Sequence, residues 1–226
     1  MTPVRFSQAD HARVTTAVAA AEKDSDGEIV TIVAQRSDSY HDAGLHWAIG
    51  AVFLALSLAA AFPAHFRVLC STLLQSWEHE MEDWKLLTLL LGLLIVKFLV
   101  VRYALAWMPL RMALTPRATK TRRVHRRAVS LFRAVAQGRT QASTGVLIYL
   151  SLDEHRAEIL ADAAIDAKVT PDVWGEAMAA LIDAVRDGRP AEGMAEAVRQ
   201  VGVILTQHFP RTGANPNELP DRLIEL

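Results

Sequence analysis

Asp38, Asp153, Glu154, Asp162 and Asp166 are the side chains whose types and placement could do chemistry in this chain. Carboxylate oxygens are the natural ligands of hard cations such as Ca²⁺ and Mg²⁺. A cation held there would polarise a phosphoryl oxygen. Ser37 and Asp38 follow one β-branched run, Glu28 to Gln35, and Asp153 and Glu154 follow a second, Gly145 to Ser151. In open α/β sheets ligands gather beyond the carboxyl ends of parallel strands. The spacing therefore predicts a Ca²⁺ or Mg²⁺ site from Asp38, Asp153 and Glu154, with Asp162 and Asp166 adding to it. A plainer reading competes, in which Asp153 and Glu154 are turn residues chosen for backbone geometry and solvation.

Stronger chemical signatures are missing. The chain has no glycine-rich phosphate loop, nucleophile elbow or His-Glu-x-x-His helix. His41 and His46 have no cysteine or carboxylate at zinc-like spacing. His155 reads as a turn residue and Trp174 as core. Cys70 is the single cysteine, so no intrachain disulfide can form.

Two apolar stretches lie between those two runs, roughly Trp47 to Pro63 and Leu86 to Trp107. Hydrophobic residues make up 51% of the chain, and the excess is concentrated here. The first stretch carries no charge and reaches about 18 residues, or ~27 Å as a helix, close to the hydrocarbon thickness of a bilayer. The second contains Lys97 and Arg102, which read as side chains extending to a headgroup layer; the competing reading is an ion path or a partner contact. Residues 1–36 lack the apolar core and cleavage site of a secretory signal, so the stretches are expected to be retained.

Charge sets the expected orientation. The loop between the stretches carries Arg67 and Lys85 against Glu78, Glu80, Glu82 and Asp83. The segment after the second stretch carries Arg111, Arg117, Lys120, Arg122, Arg123, Arg126 and Arg127 with no acid. The positive-inside rule puts that segment, and both flanks with it, in the cytoplasm of a cell with an inner membrane. The bilayer is thus an expected partner, and Arg117, Lys120, Arg122, Arg123, Arg126 and Arg127 are candidates for contact with anionic lipid. The same segment lacks interleaved aromatics, which argues against nucleic acid.

The elements that must position these groups read as follows. A helix from Gln8 to about Lys23 opens on Ser7 and Asp10, in a capping-box arrangement. Glu28 to Gln35 is a strand. After the apolar stretches, a helix spans about Ala118 to Ala136 and ends at Gly138. Gly145 to Ser151 is a strand buried on both faces, and Arg156 to Ala161 returns from it as a hairpin. Helices follow from Thr170-Pro171 to about Arg186 and from Pro190 to about His208. The tail from Arg211, with Gly213, Pro216 and Pro220, is expected to be irregular.

The strand–helix–strand order requires a parallel pair with a crossover helix. The N-terminal flank, with one helix and one strand, is too small to fold alone. The expectation is one α/β domain whose first crossover contains an inserted two-helix membrane hairpin. Its parts are 1–44, then the hairpin 45–110, then 111–226.

These residues carry a family likeness. The run from Gly145 through Tyr149 and Asp153-Glu154-His155 to Asp162, with Trp174, Arg186-Asp187-Gly188-Arg189 and Gly193, resembles the TPM domain. Ala20-Ala21-Glu22, Gly27 to Val33 and Phe132 fit the earlier part of that domain. The whole is similar to bacterial membrane-bound TPM proteins of uncharacterised role. The resemblance implies a Rossmann-like α/β/α sandwich. It also implies assistance to a membrane protein complex in assembly, repair or regulation. Relatives include thylakoid proteins of photosystem II repair, a plant branch with weak acid-phosphatase activity, and an auxiliary protein of an acetylcholine-gated channel; some members bind calcium. The alternative is therefore a weak metal-dependent acid phosphatase, with Asp153 holding the cation and Asp38 assisting. Asp162-Ala163-Ala164-Ile165-Asp166 stands where a glycine-rich run is usual in the family.

Overall fold

The computed structural model describes residues 6–73, 82–137, 140, 144–212 and 218–226. It divides into two compact units, one formed by residues 1–38 with 117–226 and the other by residues 39–116. The helical unit is thus wider at both ends than the 45–110 expected from the sequence.

The first unit is α/β. Helix α1 (Gln8–Glu22) begins with a true capping box: Ser7 Oγ accepts from Asp10 N, and Asp10 Oδ2 accepts from Ser7 N at 2.9 Å. Strands β1 (Glu28–Ala34) and β2 (Gly145–Ser151) pair in parallel, with Glu28 opposite Gly145 and Ala34 opposite Ser151. Both are buried along their whole length, as β-branched runs in the middle of a sheet must be. Strand β3 (Arg156–Ala161) returns antiparallel to β2. The four-stranded order is β3-β2-β1-β4.

Two apolar layers lie on the two faces of this sheet. On one, Ile29, Val33, Val146, Ile148 and Leu150 pack with α1 and two later helices, α8 (Gly175–Arg186) and α9 (Pro190–His208). On the other, Val30, Ile32, Leu147 and Tyr149 meet Val124, Ala128 and Phe132 of α6 (Arg117–Val135). Each fully buried aliphatic side chain contributes roughly 1.5–3 kcal/mol. Helices α1 and α9 touch closely at Gly202, where an added Cβ would lie 2.6 Å from Ala21 Cβ. A short helix α7 (Ala163–Asp166) and a 3₁₀ turn at Pro171–Trp174 join β3 to α8, so the helix expected from Thr170 starts in earnest only at Gly175.

The tail differs from expectation. Ile224 and Glu225 form β4 beside Ile32 and Val33, parallel to β1. Leu226 N–H donates to Val33 O at 2.9 Å. Glu28 Oε2 accepts from the main chain of Glu218 and Leu219, both at 3.3 Å. A tail rich in proline reads as irregular, yet β1 would otherwise present an open edge, and these few residues cover it. Gly138, Gly213, Pro216 and the loop acids Glu78 and Glu80 lie outside the described residues.

The second unit is helical. It comprises α2 (His41–Ala61), α3 (Pro63–Leu73), α4 (Asp83–Ala104) and α5 (Met108–Leu114). Helix α2 starts earlier than the apolar stretch does, taking in His41 to His46. Pro63 ends it as expected but opens α3 as well, because proline suits a first helical turn. Helices α2 and α4 are long and apolar enough to cross a membrane.

At the base of this unit Arg111 is buried. Its Nε donates to Leu105 O at 2.7 Å, and its Nη atoms donate to Ser39 O at 2.8 Å and Ala106 O at 3.3 Å. The guanidinium thus ties the segment entering α2 to the segment leaving α4. Trp47 Nε1 donates to Leu114 O at 3.2 Å across the same base.

Candidate functional site

The carboxyl ends of β1 and β2 lie side by side because the strands are parallel and in register. Their ladder runs on past the strands, with Leu152 N–H donating to Ala34 O and Asp153 N–H to Gln35 O at 2.9 Å. The turn then closes through His155, whose φ of 49° is left-handed. This geometry delivers Ser37, Asp38, Asp153 and Glu154 to one end of the sheet, with Tyr149 and Ser151 reaching it from β2.

A directed hydrogen-bond chain forms there. Ser37 N–H donates to Glu154 Oε1 at 2.9 Å. Ser37 Oγ–H donates to Ser151 Oγ at 2.9 Å, and Ser151 Oγ–H donates to Glu154 Oε2. With the Ser37 proton spent in this way, the 2.9 Å contact to Tyr149 Oη makes the phenol the donor. The order is therefore Tyr149, Ser37, Ser151, Glu154. Burial pushes the Tyr149 phenol up, opposed by its contacts with Ser37 and Ser151 and reinforced by the charge of Glu154, so the phenol keeps its proton. Glu154 itself is buried, and both its oxygens face donors.

The neighbouring acids are also engaged. Asp153 Oδ1 accepts from Gln35 Nε2 at 2.5 Å, and Arg36 lies 3.9 Å from its other oxygen. Asp38 Oδ2 is 2.6 Å from Arg123 of α6. Asp162 and Asp166 are elsewhere. Because β3 runs back along β2, Asp162 sits at the start of β2 and accepts from Gly145 N at 3.2 Å. Seven residues of strand separate it from Glu154, roughly 20 Å. Burial, then the charge of Asp162, pushes the Asp166 carboxyl up.

The fit of this set to a hard cation is poor. Ca²⁺ needs six to eight convergent oxygens. Here the five carboxylates divide between two ends of the sheet, and the three at the strand ends face N–H, O–H or guanidinium donors. Among the described residues no three histidine, cysteine or acidic side chains converge as a metal group. What the strand-end network does chemically is orient a buried carboxylate and lock the turn that carries it.

Of the residues expected together, the structure gathers Ser37, Asp38, Asp153 and Glu154 at one end of the sheet and leaves Asp162 and Asp166 apart; Tyr149, Ser151 and Gln35 join the network without having been expected there. The signal was present: Tyr149 and Ser151 are two apart on a strand, hence on one side of it. The basic segment proves to be the outer side of α6. Arg117, Arg122, Arg126 and Arg127 are exposed, while Lys120 and Arg123 are half-buried and Arg123 is taken by Asp38.

The run that forms α5, α6, the β2–β3 hairpin, α8 and most of α9 is also a recognised unit of sequence. Residues 108–204 match the TPM domain family. Helix α1 and β1, which complete the sheet and its cover, precede that match. Among solved structures, the NMR structure of the BA42 protein from the psychrophilic bacterium Bizionia argentinensis has a TM-score of 0.56 at 15% identity, covering 100% of this chain and 98% of that one. At that identity the likeness concerns the fold alone. Comparison with curated proteins gave no match.

Proposed function

We propose that this chain is a membrane-held TPM domain that binds or supports a membrane protein complex. The observation that carries the reading is the surface of the second unit. Phe53, Leu87 and Val100 are each about three-fifths exposed, at 62%, 62% and 61%. Contiguous apolar surface of that kind is normally covered by lipid or protein. Helices α2 and α4 would cross the bilayer as a hairpin. The acidic side of the loop would face outward, and the termini and basic α6 would face the cytoplasm of a bacterial inner membrane. The outward arginines of α6 would add attraction to anionic headgroups. The inserted hairpin gives the domain an address in the membrane, and the closed strand-end network favours recognition over turnover.

The test is the size of the particle. Extracted from its own membranes in mild detergent, the chain should migrate with a second membrane protein. A homogeneous particle containing this chain alone contradicts the proposal.

The weak metal-dependent phosphatase requires Asp38 and Asp153 to share a cation, and these side chains instead face Arg123, Gln35 and Arg36. Phosphomonoester hydrolysis by the purified protein should therefore be unaffected by Ca²⁺ or Mg²⁺ and unchanged in Asp153→Asn. Metal-dependent activity lost in that variant would restore the enzyme reading.

A further inference from the structure

Strand β3 is the outer strand of the sheet on the side away from β4. Among the described residues, the main-chain hydrogen bonds of Arg156–Ala161 run to β2, and none covers the opposite edge. At the other edge the tail pairs with Ile32 and Val33 of β1, whereas β3 has no such cover among the described residues. Helix α6 flanks it on one face of the sheet and α8 on the other.

A cleft of about 560 Å³ lies at the start of this edge. Met178 and Ile182 of α8 give it an apolar wall, and Arg117, Lys120, Arg156 and Arg186 line it with positive charge. Two acids share the lining, and both are occupied. Asp183 is 3.0 Å from Arg186, and Glu154 receives Ser37 and Ser151. None of the described ion pairs involves Arg117, Lys120 or Arg156. These three gather closely enough that Arg156 donates to Arg117 O at 3.5 Å. Burial holds the Lys120 ammonium below its usual range; Glu154 opposes this, and Arg156 and Arg117 reinforce it. Like charges packed together are relieved by an incoming anion.

An unpaired strand edge, an apolar wall and a basic rim are the three components that recognise an extended peptide. Main-chain pairing supplies affinity, and alternate side chains supply specificity. We propose that the edge of β3 takes up an extended acidic segment of a partner protein as an added strand, its carboxylates meeting Arg117, Lys120 and Arg156. This rests on the complex-binding reading above and names the chemistry of the partner. A compact phosphate would satisfy the cations but would leave the open ladder unused.

The experiment uses the full chain in detergent and a fluorescent Glu-Val-Glu-Val-Glu-Val peptide, followed by anisotropy. Saturable, salt-sensitive binding is expected, weakened roughly tenfold or more in Lys120→Glu and in Arg156→Glu and retained in Lys120→Arg. The same peptide N-methylated at alternate residues, and one with lysine in place of glutamate, should both fail to bind. Circular dichroism confirms that each variant is folded. No binding by the parent peptide overturns the proposal, and so does binding that survives N-methylation. Displacement of an N-methylated peptide by inorganic phosphate would overturn it in favour of a plain phosphate site. These outcomes leave the particle-size test untouched, so failure here is separable from failure of the complex-binding reading.

Discussion

Thr31 Oγ1 is buried in β1 with no hydrogen-bond partner among the described residues. A hydroxyl in that position costs about 1–3 kcal/mol of desolvation. Valine has the same shape without the oxygen, so Thr31→Val should stabilise the α/β unit by about 1 kcal/mol in denaturant unfolding; a loss of stability would mean that the hydroxyl is satisfied. Glu22 is a second residue whose environment opposes its charge. Burial, reinforced by Glu28 and Asp221 and opposed by the Ile29 N–H, pushes its carboxyl from an ordinary 4.5 up to about 8. A carboxyl that holds its proton more tightly when folded favours the folded state most at low pH. Its contribution is complete below about 4.5 and is lost as pH rises towards 8. The slope is at most ~1.4 kcal/mol per pH unit. Glu22→Gln keeps the acceptor for Ile29 N and removes the titration. Its unfolding free energy should vary less between pH 5 and pH 9 than that of the parent, and should exceed it at pH 9. Parallel pH profiles for the two proteins would refute the assignment.

At the scale of elements, what could be read in advance depended on pattern length. The β-branched run from Glu28 announced a strand, the apolar run from Gly145 a strand buried on both faces, and the crossover between them forced a parallel pair. The alternation in Arg156–Ala161 announced the returning strand. Strand β4 could not be read, because two residues carry no period and their strand state depends on the edge of β1 that they cover. The strand-end site was half legible for a related reason. Parallel topology places Ser37 near Glu154, but only the register of Ala34 against Ser151 brings the hydroxyls of Tyr149, Ser37 and Ser151 into line. Nor could pattern show that Asp162 belongs at the far end, where the hairpin register puts it. Arg111 read as one more topology-setting cation, whereas the structure makes it the clasp of the helical unit. Arg111→Ala leaves its carbonyl partners without that donor and should cost roughly 3 kcal/mol. The thermal transition of the detergent-solubilised protein would show it. Arg111→Lys should recover only part of the loss, since an ammonium lacks the planar fork; full recovery would mean that charge alone suffices.

At the scale of the whole molecule, the α/β unit is interrupted by a helical unit, and the proposed membrane hairpin makes a topology prediction. Single cysteines placed at Asp26 and Asp187, after replacement of Cys70, should both react with an impermeant reagent only when the inner face is opened. A cysteine at Trp84 should react from outside in intact cells. Any other pattern breaks the hairpin assignment.

Strand β1 lies between β2 and β4, and both of its neighbours come much later in the chain. A ribosome reaches Gly145 only on the order of ten seconds after Ala34. During that interval an apolar strand has emerged with neither partner available, while two membrane-type helices follow it out. The pairing on its other side waits longer still, for Ile224 and Glu225. Strand β1 therefore cannot enter its sheet until β2 has been made, and over that interval its apolar side chains lack the cover that the folded sheet gives them.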